Sequence, residues 1–176
     1  MKLFVYGSLL SNFQADDLIP EEAVRRPAHA IGRLYECINL WFPAIVIPES
    51  LIQARGTNDY SKDEILEKAY APLLPEVFDG LGRELLNEDY SWIHGEVVEI
   101  QDIEHVMPVI DKYEGFNQKN PLYHRSLVPV KVLQEVTWGW IYHFMSEEGL
   151  SQAGIETRRI YHGSWAKLIW TNQYEG

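Results

Sequence analysis

A strand-like run near the start of the chain ends in residues whose backbone can bind an anion. Lys2–Tyr6 is rich in β-forming residues, and Gly7 and Ser8 follow it directly. A turn of this kind exposes successive backbone N–H groups, which can hold a carboxylate or an oxyanion that develops during a reaction. Residues Tyr6 to Leu9 are therefore a candidate binding site, and a simple strand-to-loop turn is the competing interpretation.

A second candidate is Glu114, which lies between Tyr113 and Gly115 at the expected end of a helix. A glutamate beside an aromatic side chain and a glycine can lie in a partly desolvated pocket. Burial raises the pKa of a carboxyl group toward the range that suits a general base. The competing interpretation is a solvated glutamate ahead of a glycine that ends the helix.

A third group opens a predicted strand shortly after Gly115. Tyr123 can offer a phenolic hydrogen bond, and Arg125 can pair with a carboxylate. Taken alone, these two residues are equally typical of an ordinary strand with polar side chains. Trp41 and Phe42 are weaker candidates for the border of a site.

The elements that must position these residues follow from the periodicity of the chain. Apolar residues at helical spacing predict a helix over Asp102–Tyr113, with Pro108 expected to kink it or end it early. A shorter helix, capped by Ser61, is predicted within Ser50–Ser91, a stretch that suits a lid, an interface element or a surface insertion. Strands are predicted at residues 2–6, 28–35, 44–47, 94–100, 123–133 and 137–144. Many strands, few helices and no regular βαβ rhythm favour a mixed α+β domain or a barrel.

Composition excludes several classes of protein. The 176 residues carry a formal net charge of −11 without clustered Lys or Arg, which argues against a nucleic-acid partner. The single cysteine, Cys37, cannot form an internal disulfide and has no neighbour that would activate it. The histidine spacing predicts no metal site, and no stretch is apolar enough to span a membrane. With no targeting segment visible, we expect a cytoplasmic protein.

Taken in order, these motifs resemble the gamma-glutamylcyclotransferase-like superfamily and, within it, the AIG2-like branch. Tyr6–Leu9 is similar to the family's substrate loop. Asp111–Gly115, followed by Tyr123 and Arg125, is similar to the signature around its catalytic glutamate. Further similar segments are Gly32–Tyr35, Phe42–Ala44, His94–Val97, Ile141–Tyr142 and Gly163–Trp165. The chain departs from the compact members in the length of Ser50–Ser91.

The resemblance implies a fold, a reaction and a set of roles. The fold is α+β, a small mixed β-barrel with flanking helices in a single domain over residues 1–176, with an insertion at about 50–91. A γ-glutamyl amine or peptide is converted to 5-oxoproline and a free amine, without a cofactor or metal. Glu114 is the catalytic general base, and Tyr123 orients the substrate. The cavity that binds the substrate is lined by Tyr6, Gly7, Ser8 and Leu9.

Two alternatives stay open at this point. A non-catalytic binding or regulatory module on the same fold would show the same motifs, because one fold hosts many functions. A homodimer is a further alternative, with a contact formed by Ser50–Ser91 or by the aromatic C-terminal tail.

Overall fold

The computed structural model describes residues 1–38, 40–73, 78, 84–86, 89–116, 118, 119, 121 and 123–174, with side chains as far as residue 170. The strands are β1 Lys2–Val5, β2 Val24–Cys37, β3 Phe42–Val46, β4 Ala54–Arg55, β5 Ser91–Glu99, β6 His124–Val132, β7 Glu135–His143 and β8 Thr157–Arg159. The helices are α1 Tyr60–Tyr70, α2 Ile103–Glu114, α3 Glu147–Gln152 and α4 Trp165–Tyr174. Short 3-10 turns occur at Asp16–Leu18, Glu49–Leu51 and Ala71–Leu73.

Five strands close into a barrel in the order β2–β5–β1–β7–β6 and back to β2. All the pairings are antiparallel except β1 with β7, where Phe4 lies opposite Ile141. Closure occurs between β2 and β6, where Ala28 lies opposite Val132. A closed barrel leaves no unpaired edge between its strands. The predicted α+β class and small mixed β-barrel with flanking helices are confirmed.

Strand β2 is long enough to pair in two sheets. Its first part, to Gly32, pairs with β5 in the barrel. Its second part, Arg33–Cys37, extends beyond the barrel and pairs with β3 on one side, and Tyr35–Cys37 pair with β8 on the other. This extension carries the start of β3, including Pro43, to the end of β1.

The core has two layers because the barrel is covered on its outer face. Side chains alternate along a strand, so Phe4 points into the barrel while Leu3 points outward under α2. Met107 and Ile110 of α2 are fully buried in that outer layer. The expectation that Pro108 would end the helix early is wrong, because α2 continues to Glu114. The burial of these two apolar side chains offsets the one backbone hydrogen bond that a proline removes.

Part of Ser50–Ser91 belongs to the body of the fold. Strand β4 pairs with β6, and α1 packs on α2, with Asp63 fully buried. The cap of α1 is Asp59, whose side chain accepts from the backbone N–H of Lys62 at 3.0 Å, so the prediction of Ser61 as the cap is wrong. Ser61 already lies in the first turn, where its hydroxyl donates to Glu104. Residues 74–77, 79–83, 87 and 88 of the predicted insertion lie outside the described residues.

Within the described part of the chain, no helix combines the length and the apolar character needed to cross a bilayer.

Candidate active site

A cavity of about 340 Å³ lies where the end of β1 meets the C-terminal end of α2. The structure brings together around it every residue that the sequence assigns to the site, namely Tyr6, Gly7, Ser8, Leu9, Glu114 and Tyr123. Phe42 also lines this cavity, whereas Trp41 does not. The cavity is also lined by residues to which the sequence analysis assigned no role of their own, namely Phe4, Val5, Pro43, Tyr113, Gly115, Gln118 and Tyr142.

The positions of Tyr142 and Pro43 at the cavity could not be predicted from local sequence patterns, because both depend on how strands pair. Tyr142 lies opposite Arg125 in the β6–β7 pair, so its place at the cavity depends on strand register. Pro43 reaches the cavity only because β3 folds back along the extension of β2. Both residues lie within segments that resemble the family, and that resemblance is the signal that would have found them.

Glu114 is the last residue of α2, and its position depends on the glycine that follows. Gly115 adopts a left-handed conformation with φ of 70°, and its backbone N–H bonds to the carbonyls of Asp111 and Lys112. A residue without a Cβ adopts this conformation at little cost, and it ends the helix within one residue. The helix therefore stops at the wall of the cavity with Glu114 on that wall.

The carboxylate of Glu114 is poorly solvated. Part of its surface stays accessible through the cavity, but protein atoms surround it on most sides. Among the described residues, none forms a hydrogen bond or an ion pair with it. Burial, followed by repulsion from the negative charge of Asp111, raises the pKa of Glu114 from 4.5 to about 7. At neutral pH this group exists as both acid and base in similar amounts.

The turn after β1 lines the same cavity with Gly7, Ser8 and Leu9. Its carbonyls are already occupied: that of Gly7 accepts from the N–H of Leu10 at 3.1 Å, and that of Ser8 accepts from Ala15 at 2.9 Å. In the described part of the chain, no acceptor faces the N–H groups of Gly7, Ser8 and Leu9. Three successive N–H groups of this kind form a site for an anionic oxygen.

Gly7 is required at its position by close packing. A Cβ built on Gly7 would lie 2.6 Å from Cγ of Pro43, which is closer than two carbon atoms can approach without displacement. The turn therefore passes directly beneath β3. This contact joins the amide-bearing turn to the extended part of the sheet.

Two tyrosines form much of the remaining wall. The hydroxyl of Tyr6 donates to the carbonyl of Tyr142 at 2.9 Å, and the hydroxyl of Tyr123 donates to the carbonyl of Pro43 at 2.7 Å. Burial raises the pKa of both phenols well above the usual value, and for Tyr6 the nearby charge of Glu114 adds to this. Both phenols are therefore neutral, and each retains oxygen lone pairs that can accept a hydrogen bond from a ligand.

Arg125 lies beneath the cavity wall, where it pairs with carboxylates of the protein. Its guanidinium bonds to Asp111 on α2, to Asp63 on α1 at 2.8 Å and to the carbonyl of Thr57 at 2.6 Å. Arg125, Asp111 and Asp63 are fully buried. The sequence indicated that Arg125 could pair with a carboxylate, but neither aspartate had a pattern that marked it as the partner.

Two further features of the sequence have no place at this site. Cys37 is buried, and burial raises the pKa of its thiol to about 12, so it is not a reactive thiolate. The residues that the structure describes include no group of three or more His, Cys, Asp or Glu side chains arranged to hold a metal ion.

Comparison with known proteins agrees with this architecture. A family model described as gamma-glutamyl cyclotransferase, AIG2-like, matches residues 74–167, a range that includes Glu114 and Tyr123 but not the turn after β1. No curated protein sequence matches the chain.

Two solved structures share the fold at low sequence identity. The chain is similar to YkqA from Bacillus subtilis with a TM-score of 0.53 and 19% identity, over 98% of this chain and 42% of YkqA. It is similar to the uncharacterized protein PH0828 from Pyrococcus horikoshii with a TM-score of 0.53 and 12% identity, over 99% of this chain and 97% of that protein. The chain thus spans less than half the length of YkqA, and at these identities the likeness concerns the fold alone.

Proposed function

Because the chain belongs to the gamma-glutamyl cyclotransferase, AIG2-like family, we propose that it is a cyclotransferase that converts a γ-glutamyl amine or peptide into 5-oxoproline and a free amine. The observation that carries this proposal is the carboxylate of Glu114, with a pKa raised to about 7, on the same cavity as the turn after β1. Among the described residues, neither this carboxylate nor the N–H groups of Gly7, Ser8 and Leu9 have a hydrogen-bond partner. One group can move protons at neutral pH, and the other can bind an oxyanion.

The substrate supplies its own nucleophile. A γ-glutamyl compound carries an α-ammonium group, an α-carboxylate and a γ-amide in one molecule. Among the described residues that line the cavity, none is a lysine or an arginine. The backbone N–H groups of Gly7, Ser8 and Leu9 are therefore the donors for the α-carboxylate or for the oxygen of the γ-carbonyl. Tyr6 and Tyr123 form neutral walls that orient the glutamyl group.

The first step forms the ring. Glu114, as the carboxylate, removes a proton from the α-ammonium group, and the freed amine attacks the γ-carbonyl carbon. A bond from nitrogen to carbon forms, the carbonyl electrons move to oxygen, and the free amides of the turn stabilise the resulting oxyanion. Because amine and carbonyl already belong to one molecule, the task of the cavity is to hold that molecule in the conformation that brings them to attack distance.

The second step releases the amine. The oxyanion collapses, the bond from carbon to the departing nitrogen breaks, and Glu114, as the acid, protonates that nitrogen. The ring nitrogen gives up two protons in all and the departing nitrogen gains both, so the products are 5-oxoproline and an ammonium. A pKa of about 7 suits both roles, because the group must accept and donate a proton in one cycle.

The test is turnover of a panel of γ-glutamyl amines and γ-glutamyl amino acids, with 5-oxoproline as the measured product. We expect Glu114→Gln to lower kcat by about 10²–10⁴-fold while the protein stays folded, because a positioned proton-transfer group contributes roughly that much. The matched control is Glu104→Gln, which changes an exposed glutamate on the same helix and should leave kcat unchanged.

Two outcomes would contradict the proposal in different ways. If Glu114→Gln turns over as fast as wild type, Glu114 is not the base. If the wild-type protein binds γ-glutamyl compounds but forms no 5-oxoproline from any of them, the protein is a binding module on this fold.

A further inference from the structure

A second cavity, of about 550 Å³, lies directly beside the first. Four residues line both cavities: Ser8, Phe42, Pro43 and Tyr113. They form a shared rim, so a molecule held in the first cavity can extend across this rim into the second. The proposed reaction requires such an extension, because the amine part of the substrate must continue away from the γ-carbonyl.

The second cavity has an aromatic and uncharged lining. Beyond the shared rim it is lined by the aromatic Phe13, Trp41, Trp165 and Trp170, the aliphatic Leu40 and Ile169, and the neutral polar Asn12 and Gln14. No aspartate, glutamate, lysine, arginine or histidine is among the described residues around it. Aromatic faces bind flat apolar groups well, whereas an anionic group here would lose water without gaining a cationic partner among the described residues.

Two of these tryptophans have more than half of their surface exposed. The side chain of Trp41 is 72% exposed, and that of Trp170 is 56% exposed. Trp41 also has a φ of 55°, in the left-handed region that bulky residues rarely adopt. Exposed aromatic clusters and strained backbone conformations both concentrate where proteins bind ligands.

We propose that the second cavity binds the leaving group of the substrate, and that this group is an aromatic amine without an anionic substituent. This inference rests on the proposed cyclotransferase function. The γ-glutamyl part occupies the first cavity beside Glu114. The amide bond lies at the shared rim near Ser8, and the aromatic part lies against Trp41 and Trp170. When the bond from carbon to nitrogen breaks, the amine leaves through the second cavity.

The test compares three substrates with the same acyl group: the γ-glutamyl amides of tryptamine, of ethylamine and of the anionic amine taurine. The measured quantity is the ratio of kcat/KM for the tryptamine amide to that for the ethylamine amide. We expect this ratio to exceed one in wild type, and we expect Trp41→Ala and Trp170→Ala each to lower it about tenfold, the effect of one lost aromatic contact. The taurine amide should be the poorest of the three.

The matched control is Tyr161→Ala. Tyr161 is 74% exposed and lies outside both cavities, so its removal should leave the ratio unchanged. Equal ratios in wild type, Trp41→Ala and Trp170→Ala would overturn the inference while leaving the cyclotransferase reaction intact.

A binding measurement separates failure of this inference from failure of the reaction. If no amide yields 5-oxoproline, the reaction is wrong. Tighter binding of the tryptamine amide than of the ethylamine amide, lost in Trp41→Ala, would still support the second cavity as an aromatic site. If sedimentation instead shows a dimer that Trp41→Ala dissociates without changing the ratio, a second copy of the chain covers these tryptophans, and the inference is wrong.

Discussion

Two carboxylates on one helix have opposite surroundings. Asp111 and Glu114 lie three positions apart near the C-terminal end of α2. Asp111 is fully buried and accepts hydrogen bonds from Arg125 and from the hydroxyls of Tyr60 and Tyr142. Glu114, at the cavity, has no such partner among the described residues, and its pKa is raised to about 7.

The difference shows what makes a buried acid structural or reactive. Where a cation and hydroxyl donors surround a carboxylate, its charge is matched and the group ties elements together. Where a carboxylate is buried without such donors, its ionisation becomes costly and the group titrates near neutral pH. The charge of Asp111 adds to this cost at Glu114, so the structural network contributes to the chemistry of the cavity.

We expect the largest effect on stability when the ion pair between Asp111 and Arg125 is removed. Arg125→Met removes a buried cation and leaves both Asp63 and Asp111 without a matching charge. Loss of one partner from a buried ion pair typically costs about 3–5 kcal/mol. We expect a loss of that size in the free energy of unfolding, measured by denaturant titration at pH 7.

The matched control for this variant is Arg26→Met. Arg26 pairs with Glu99 at the surface, where its side chain is 50% exposed, and such pairs contribute about 0–1 kcal/mol. If Arg125→Met destabilises the protein no more than Arg26→Met does, then Arg125 does not hold α1 and α2 on the barrel.

We expect Glu114→Gln to have a smaller effect on the free energy of unfolding, and to stabilise the protein rather than destabilise it. The pKa of Glu114 is about 7 in the folded protein against 4.5 as its ordinary value, so the folded state favours the neutral acid. That contribution to stability is fully present below pH 4.5 and is lost as the pH rises to about 7. Glutamine stays neutral throughout. The variant should therefore match wild type near pH 4 and be more stable than wild type at pH 8.

The measurement for this prediction is the difference in unfolding free energy between the two proteins as a function of pH. A constant difference across this range would mean that burial does not penalise the charge of Glu114. If wild type were instead more stable than the variant at pH 8, the carboxylate would have a stabilising partner.

The same contrast shows which parts of the molecule the sequence predicts. Glu114 and Gly115 are adjacent, and the helix before them has a clear apolar period, so the end of α2 and the position of its acid were predictable. The β6–β7 pair was predictable because alternation and a short turn are local signals. The turn after β1 was predictable for the same reason.

The buried network was not predictable, because its members come from distant parts of the chain. Arg125 bonds to Asp63 across 62 positions, and Asp63 lies in a helix whose sequence reads as a polar surface element. Packing also overrides a local rule at Pro108, where a kink or an early end of α2 was expected: the helix does not end there, and the burial of Met107 maintains it. The place of Pro43 beside Gly7 likewise depends on how β2 and β3 fold together.

The most direct test of the central claim is the titration of Glu114 itself. With glutamate carboxyl carbons labelled by ¹³C, the NMR signal that disappears in Glu114→Gln identifies this residue, and its chemical shift can be followed from pH 3 to pH 9. We expect a midpoint at about pH 7, set by burial and by the charge of Asp111. A midpoint near the ordinary value of 4.5 would show that the carboxylate is well hydrated, and Glu114 would then not be a base tuned to neutral pH.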